Sequence, residues 1–460
     1  MFKKLMISIE FFGAAKTVTG SHYLVKTDVG NFVVDCGMFQ GEDVEHYNLE
    51  PIEYNPADIN FALLTHAHID HSGMMPKLVK AGYQGKIYAT NNTIQISTEL
   101  LLDSAKLQEN AFQRGESYGK YTGIRAIVYN TKDAMQTIAQ FSAISYDDEF
   151  EPVPGIKVTY IQAGHILGAA SLIIKVQDEG KEKTIIFSGD IGRVQSAIIP
   201  TFDQNLKLEP EYVIMESLYG GEIHIDRIES ANKLITLIKE TTDKGGNAFI
   251  PCFAVQRAQE VLNDIKKAKI GGALSDDLPV WLDSPLAQRV TNIYSQALQH
   301  SEESPFDFPN LIYVKKYKQS LQLTKKSGQV ILAGSGMADG GRIMDHLATG
   351  LENQKNSVIF VGFQAKGTLG RELVEGASEV IIGTKKVRVN ARIHHLEGFS
   401  AHGDTNDYVK WLQRFLSPNL KNIYLVHAEP DRAEALKLHL ENMGINNCII
   451  PDLKETVTLS

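Results

Sequence analysis

The stretch His66-Ala67-His68-Ile69-Asp70-His71-Ser72-Gly73 decides how the rest of the chain is read. An apolar run at 61–64 precedes it and a helical pattern at 74–80 follows, so the polar cluster sits on a strand-to-helix turn. Three imidazoles and a carboxylate within six positions are too polar for a core and too rich in histidine for an ordinary loop. Neutral imidazole nitrogens and carboxylate oxygens are the preferred non-thiolate ligands of zinc. His66 and His68, two apart on extended backbone, can face one side. Asp70 and His71, one turn further on, can hold a second ion nearby.

The same arrangement recurs along the chain: an apolar run ends and a ligand-type residue follows. Asp35 follows 32–34, Asp190 follows 185–187, Glu216 follows 212–215 and His427 follows 423–426. A residue at the C-terminal end of a strand lies on the rim of its sheet, so residues from neighbouring strands converge on one edge, where open sheets bind ligands. His165 lies in Ala163-Gly164-His165-Ile166-Leu167-Gly168-Ala169, between strands expected at 158–161 and 171–176. A lone histidine in such a loop is normally structural. Its small neighbours allow close approach, which makes it the natural third ligand beside His66 and His68. The carboxylate of Asp190 in Ser188-Gly189-Asp190 is then placed to bridge two metals.

The chain has 460 residues, which suggests about two to four domains. With 43% apolar and 22% charged residues it can bury ordinary globular cores. No run approaches the roughly 18 apolar residues of a membrane span, so no membrane association is expected. Lys3 and Lys4 ahead of 5–12 mimic a signal peptide, but Glu10 interrupts the apolar stretch and a first strand is expected there. The three cysteines, Cys36, Cys252 and Cys448, form no close pair, which fits a reducing cytoplasm and gives no cysteine zinc knuckle. A net charge of −9 argues against a broad nucleic-acid-coating surface, but not against one locally positive cleft.

A polar, helical segment is expected over 93–129, with a solvated face. From about 200 onward strands and helices alternate, with candidate strands at 247–254, 278–282, 329–332 and 357–363 and a helix at 256–269. This predicts a separate doubly wound domain with a mostly parallel sheet. The loop Gly334-Ser335-Gly336-Met337-Ala338-Asp339-Gly340-Gly341-Arg342 lacks nucleotide-binding spacing. It reads as a tight turn whose N–H groups can meet a phosphate. Histidines return near the end: His394, His395, His402 in Gly398-Phe399-Ser400-Ala401-His402-Gly403-Asp404, and His427 in Val426-His427-Ala428-Glu429. His394 and His395 read as structural or peripheral, and His46, His224, His300 and His346 as surface or packing residues.

Taken together these residues resemble the metallo-β-lactamase superfamily, specifically its β-CASP branch of nucleic-acid hydrolases. That branch includes the nuclease subunit of the eukaryotic pre-mRNA 3′-end cleavage factor and its bacterial and archaeal relatives. Asp35, the HAHIDH block, His165 and Asp190 match the superfamily's motifs; Glu216, His402 and His427 match those of the branch. The resemblance covers essentially the whole chain. It departs at Leu218, where relatives often carry threonine, and in lacking the N-terminal RNA-binding extension of many archaeal relatives, which leaves target selection open. It implies an α/β fold: a four-layer αβ/βα metallo-β-lactamase domain (1–205 and 381–460) with an inserted parallel-sheet β-CASP domain (206–380) and a site in the cleft between them.

The resemblance also implies two zinc ions per chain. One is held by His66, His68 and His165, the other by Asp70, His71 and His427, with Asp190 bridging and Asp35 fixing a ligand histidine through its other nitrogen. Asp70 orients the attacking water or takes its proton, His402 protonates the leaving 3′-oxygen, and Glu216 orients His402. Ser400 and Arg257 are candidate phosphate contacts. Histidine at the position of His427 resembles RNA-cleaving members, where DNA-cleaving ones carry valine. The expected protein is therefore a cytoplasmic zinc-dependent ribonuclease acting on single-stranded RNA in RNA processing or decay, endo- or 5′-3′ exonucleolytic, and by family analogy a homodimer. The alternatives are a catalytically silent nucleic-acid-binding scaffold, which needs no complete ligand set, and a small-molecule metallo-hydrolase, which needs no inserted domain.

Overall fold

A computed structural model describes residues 6–41, 43–119, 122–178, 180–298 and 304–460. Lys3, Lys4 and His300 lie outside the described residues. The chain divides into two compact units, Met1–Ile223 with His402–Ser460, and His224–Ala401.

The first unit begins with β1 (Ser8–Gly13), β2 (His22–Lys26), β3 (Asn31–Val34), β4 (Phe61–Leu63), β5 (Lys86–Thr90) and β6 (Phe141–Ile144). It continues with β7 (Glu149–Val153), β8 (Ile156–Gln162), β9 (Ala170–Asp178), β10 (Lys181–Phe187) and β11 (Tyr212–Glu216). The second unit carries β12 (Ala248–Pro251), β13 (Val280–Asp283), β14 (Leu311–Tyr313), β15 (Val330–Ala333), β16 (Ser357–Phe360), the hairpin β17 (Glu379–Ile382) and β18 (Lys385–Arg388), and β19 (Arg392–His395). The chain then returns to the first unit with β20 (Asn422–Val426), β21 (Cys448–Ile449) and β22 (Thr456–Thr458).

Among the described residues the first unit has two seven-stranded sheets, ordered β22-β1-β2-β3-β4-β5-β6 and β21-β20-β11-β10-β9-β8-β7. In each, antiparallel strands give way to parallel ones, at β3–β4 and at β10–β11. The alternation of side chains decides the layers. Phe61 and Leu63 point into one core with Ile185, Phe187, Ile214 and Val426 of the other sheet. Ala62 and Leu64 point the other way, against Met75 and Leu78, Leu101 and Ala105, and Ala134. Those residues belong to helices Met75–Lys80, Asn91–Gln113 and Thr131–Ile138. Ile186, Val213, Met215 and Leu425 likewise pack on Trp411 and Leu412 of helix Thr405–Leu412 and on Leu436 and Leu440 of helix Pro430–Asn442. The strands lack polar alternation because both of their faces are buried. The result is helix, sheet, sheet, helix: the four-layer αβ/βα arrangement expected from the motifs.

Among its described residues the second unit has a six-stranded parallel sheet, order β14-β13-β15-β12-β16-β19, around an apolar core that includes Phe249, Ile331, Ile343, Leu347, Val358 and Phe360. Asp283, fully buried at the end of β13, accepts from His346 Nε2, Arg342 Nη1 and Ser320 Oγ and ties three segments together.

Several boundaries differ from the sequence expectation. Residues 206–223 belong to the first unit, because β11 pairs in parallel with β10 and β20. Residues 381–401 belong to the second, because β19 pairs with β16. An apolar strand does not name its partner, and only the pairing moved these limits from 205/206 and 380/381. The helix expected over 93–129 is Asn91–Gln113, and the turn at 69–72 is itself a one-turn helix ahead of Met75–Lys80. Among the described residues no helix is long and apolar enough to cross a membrane.

Candidate functional site

Within the first unit the polar residues expected at strand ends do converge. Asp35 follows β3 directly, Glu216 closes β11 and His427 follows β20, while His66 and Asp190 lie three residues beyond β4 and β10. The helix Ile69–Ser72, which carries Asp70 and His71, is held by backbone bonds to the segment after β3: Cys36 N to His71 O at 2.8 Å and Met38 N to Ile69 O at 2.9 Å. Gly37 lies so close that a Cβ there would stand 1.6 Å from Asp70 O. Asp35 and His427 both have positive φ, 56° and 57°. That conformation is costly for a side-chain-bearing residue and clusters at functional sites.

Two groups of donors face Asp190 from opposite sides. His66 Nε2 lies 3.2 Å from His68 Nδ1, and His165 Nε2 lies 3.1 Å from that same nitrogen. Asp190 Oδ2 is 3.2 Å from His66 Nε2 and 3.3 Å from His165 Nε2. Asp190 Oδ1 turns to the second group, 3.1 Å from His71 Nε2 and 3.5 Å from His427 Nε2, which is 3.4 Å from Asp70 Oδ2. Donors about 2.0–2.1 Å from the centre of a tetrahedron have edges of about 3.3–3.4 Å, so the spacing suits a first-row cation in each group. Both Asp190 oxygens and His427 Nε2 are buried without a hydrogen-bond partner. Buried carboxylate oxygens and imidazole nitrogens gathered in this way need protons or cations among them.

The protonation of these candidate ligands divides by group. Burial, followed by neighbouring imidazoles, lowers the pKa of His66 and takes that of His165 well down, and burial and His66 bring His68 to about 3, leaving these rings neutral. For His427 burial acts the other way from the carboxylates, and Asp190 and Asp70 win, raising it to about 9. His71 is also raised: burial lowers it, but Asp190 and Asp35 outweigh that. The protons on these two rings neutralise carboxylates that a cation would otherwise neutralise.

Asp35 fixes the tautomers. Its Oδ1 accepts from Thr65 N at 2.8 Å, and its Oδ2 accepts from Thr65 Oγ1 at 2.8 Å and from His71 Nδ1 at 2.7 Å. With a cation in place of the ring's second proton, His71 Nδ1 would keep its proton on Asp35 and Nε2 would be free to act as the ligand. Thr65 Oγ1, having donated to Asp35, accepts from His66 Nδ1 at 3.1 Å. One carboxylate thus orients a histidine in each group. Thr65 was missed at the sequence level, since a threonine before a histidine carries no signal of its own.

His402 belongs to the first unit, held by Gly403 N donating to Ile191 O at 2.7 Å. Its Nδ1 donates to Glu216 Oε2 at 3.0 Å and lies 3.8 Å from Asp190 Oδ2, and its ring packs 4.3 Å from that of His165. Burial lowers the His402 pKa, but Glu216 and Asp190 raise it by more. Glu216 is itself buried, accepting from Ile191 N and from Tyr408 OH. Tyr408 is the second residue the sequence did not reveal, because it meets Glu216 only through tertiary folding.

The remaining expectations lie outside the two donor groups, most of them in the second unit. Arg257 is buried, in the first turn of helix Arg257–Ile270, with Nη1 3.3 Å from Glu260 Oε2. Ser400 caps the 3₁₀ turn Glu397–Phe399. His395 Nε2 donates to Gly362 O, and His346 is buried on Asp283, both in packing roles. His46 packs against Tyr47 in the first unit.

This fold and donor set define a metallo-hydrolase, and the chain belongs to the β-CASP branch of the metallo-β-lactamase superfamily. The superfamily's sequence profile matches residues 16–223, the Beta-Casp domain residues 258–373, and a Zn-dependent metallo-hydrolase RNA specificity domain residues 386–451. The chain is 33% identical over 436 residues to Ribonuclease TTHA0252 of Thermus thermophilus, covering 92% of this chain and 94% of that one. It is 31% identical over 450 residues to Transcription termination factor FttA of Methanocaldococcus jannaschii, covering 93% of this chain and 67% of that protein. It is 28% identical over 461 residues to Probable RNase MJ4 of the same organism, covering 98% of this chain and 100% of that one. A crystal structure of a protein of unknown function from Enterococcus faecalis V583 has the same fold, with a TM-score of 0.60 at 15% identity over 99% of this chain and 100% of that one.

Proposed function

We propose that this protein is a metal-dependent ribonuclease that hydrolyses phosphodiester bonds in single-stranded RNA, with two zinc ions at the centre built around Asp190. The observation that carries it is the Asp190 carboxylate, buried and without a hydrogen-bond partner, with one oxygen directed at each donor group. Five imidazoles among the candidate ligands favour zinc over harder cations. When bound, such ions polarise a phosphoryl oxygen and make water nucleophilic near neutral pH. His66, His68, His165 and Asp190 Oδ2 would hold one, and Asp70, His71, His427 and Asp190 Oδ1 the other.

The chain's own groups move the protons. Asp70, part-exposed beside His427, orients the attacking water and accepts its proton. As water oxygen bonds to phosphorus, the P–O3′ bond breaks and the 3′-oxygen takes a proton from His402 Nε2. Glu216 on Nδ1 holds the ring in the orientation and charge state for that transfer. The products are a 5′-phosphate and a 3′-hydroxyl. RNA rather than DNA is supported by His427, by the match to the RNA specificity domain, and by the relatives named as ribonucleases. The test is incubation of purified protein with end-labelled single-stranded RNA and the matching DNA, with chelator and with zinc restored. Cleavage of RNA to 5′-phosphate products, stopped by chelation and restored by zinc, is expected; an intact RNA with a fully metallated protein overturns the proposal.

A further inference from the structure

Three strand ends on the C-terminal edge of the second unit's parallel sheet present an aromatic surface that the hydrolytic chemistry does not use. Phe253 lies two residues beyond β12, Phe363 three beyond β16, and the glycine loop at 334–341 follows β15. The neighbours β12 and β16 send their chains in opposite directions along the sheet, to β13 and to β19. Such a reversal opens a crevice at the carboxyl ends of the strands, where α/β sheets take ligands.

The surface is built rather than incidental. The Phe253 ring rests on two glycines: a Cβ on Gly336 would stand 2.7 Å from its Cδ2, and one on Gly362 3.6 Å from its Cε2. Gln364, 2% exposed, shares its Nε2 among Gly336 O at 3.1 Å, Gly362 O at 2.9 Å and Phe363 O at 2.9 Å. His395 Nε2 donates to Gly362 O at 3.1 Å from β19. Two loops are therefore laced together from beneath, while Phe253 remains 39% and Phe363 64% exposed. Packing does not require rings held out in this way, and neighbouring exposed apolar groups mark interaction sites.

We propose that Phe253 and Phe363 form a stacking platform for an unpaired base of single-stranded RNA, a substrate contact that rests on the ribonuclease function above. Phenyl rings offer π faces and no hydrogen-bond code, so they suit any base, but only one whose own faces are free. Exposed Lys366, three residues after Phe363, supplies positive charge for the adjoining backbone phosphate. A base pair within a duplex, already stacked on both faces, is excluded.

The test uses the full protein with a fluorescein-labelled oligo(U) RNA carrying 5-iodouridine, measuring binding by anisotropy, photocrosslinks by mass spectrometry, oligomeric state by light scattering, and KM and kcat by cleavage. Phe363→Ala is expected to weaken binding by about 5- to 150-fold, raise KM with little change in kcat, and leave the melting temperature unchanged, while Phe363→Trp restores binding. The crosslinked peptide is expected to contain Phe363 or Phe253. Binding within twofold of wild type for Phe363→Ala and for Phe253→Leu, with crosslinks elsewhere, overturns the platform. So does a wild-type dimer that Phe363→Ala dissociates, since a second copy then covers the face. Phenylalanine-dependent binding without cleavage keeps the platform and removes the ribonuclease function; cleavage unaffected by these variants does the reverse. Wild-type protein that neither binds nor cleaves removes both.

Discussion

Replacing Asp35 with asparagine isolates the part that orients the two histidine groups. The residue sits at φ 56°, which asparagine tolerates, so the backbone is preserved. The amide oxygen can still accept from Thr65 N, and the Thr65 hydroxyl can rotate to accept from the amide nitrogen. His71 has no such escape. Its Nδ1, 2.7 Å from Asp35 Oδ2, then faces a donor and must become an acceptor, which moves the proton to Nε2, the atom 3.1 Å from Asp190 Oδ1. Restoring the ligating tautomer forfeits a hydrogen bond to a charged group, about 1.5–3 kcal/mol. That agrees with the roughly 10–100-fold loss of metal affinity typical when such supporting groups are changed. Competition of the holoprotein against a chromophoric zinc chelator reads this directly. Thr65→Val keeps the Asp35–His71 pair and the bond from Thr65 N, and removes the hydroxyl's bonds to Asp35 and to His66, so a smaller loss is expected. If Asp35→Asn holds zinc within twofold of wild type, Asp35 does not set the tautomer and the site's organisation has been misread.

Glu216→Gln leaves the metal ligands in place but takes the carboxylate from His402, whose pKa it helps to raise. The ring then loses its proton at lower pH, so the alkaline limb of the kcat profile moves to lower pH while zinc content is unchanged; an unmoved limb contradicts the assignment. In the second unit, Asp283→Asn removes the buried negative charge that faces Arg342 and His346, a loss of about 3–5 kcal/mol. Burial raises the Asp283 pKa, but His346, Ser320 and Arg342 lower it by more. Its contribution is therefore present above the unfolded carboxylate pKa of about 3.9 and disappears as pH falls below it, so wild type and variant converge in acid. Trp281 lies in the second unit and Trp411 in the first, so urea unfolding followed by fluorescence in a Trp411→Phe background reports the second unit alone.

The candidate centre was legible because the residues that compose it stand where apolar runs end. Phe61 to Leu64 and Ile185 to Phe187 are buried on both faces, so they read as strands, and the residues after them had to lie on a rim. His165 was singled out through its small neighbours, and at Gly168 the tight backbone requires one: a Cβ there would stand 2.5 Å from Thr93 N. Thr65 and Tyr408 were not legible, since their importance arises from hydrogen bonds made only in the folded chain, and Tyr408 reaches Glu216 across 192 positions. The limits of the second unit were misplaced for a related reason. The strand patterns of β11 and β19 do not state which sheet completes them.

The most direct measurement compares wild type with His402→Ala on a 5′-labelled single-stranded RNA, with zinc content determined on both proteins. His402 donates to Glu216 and lies outside the two donor groups that share Asp190, so its loss should remove cleavage by at least about 10²-fold and leave about two zinc ions per chain. Wild-type protein that carries its metal yet leaves the RNA intact, or a His402→Ala variant that cleaves at the wild-type rate, would contradict the account.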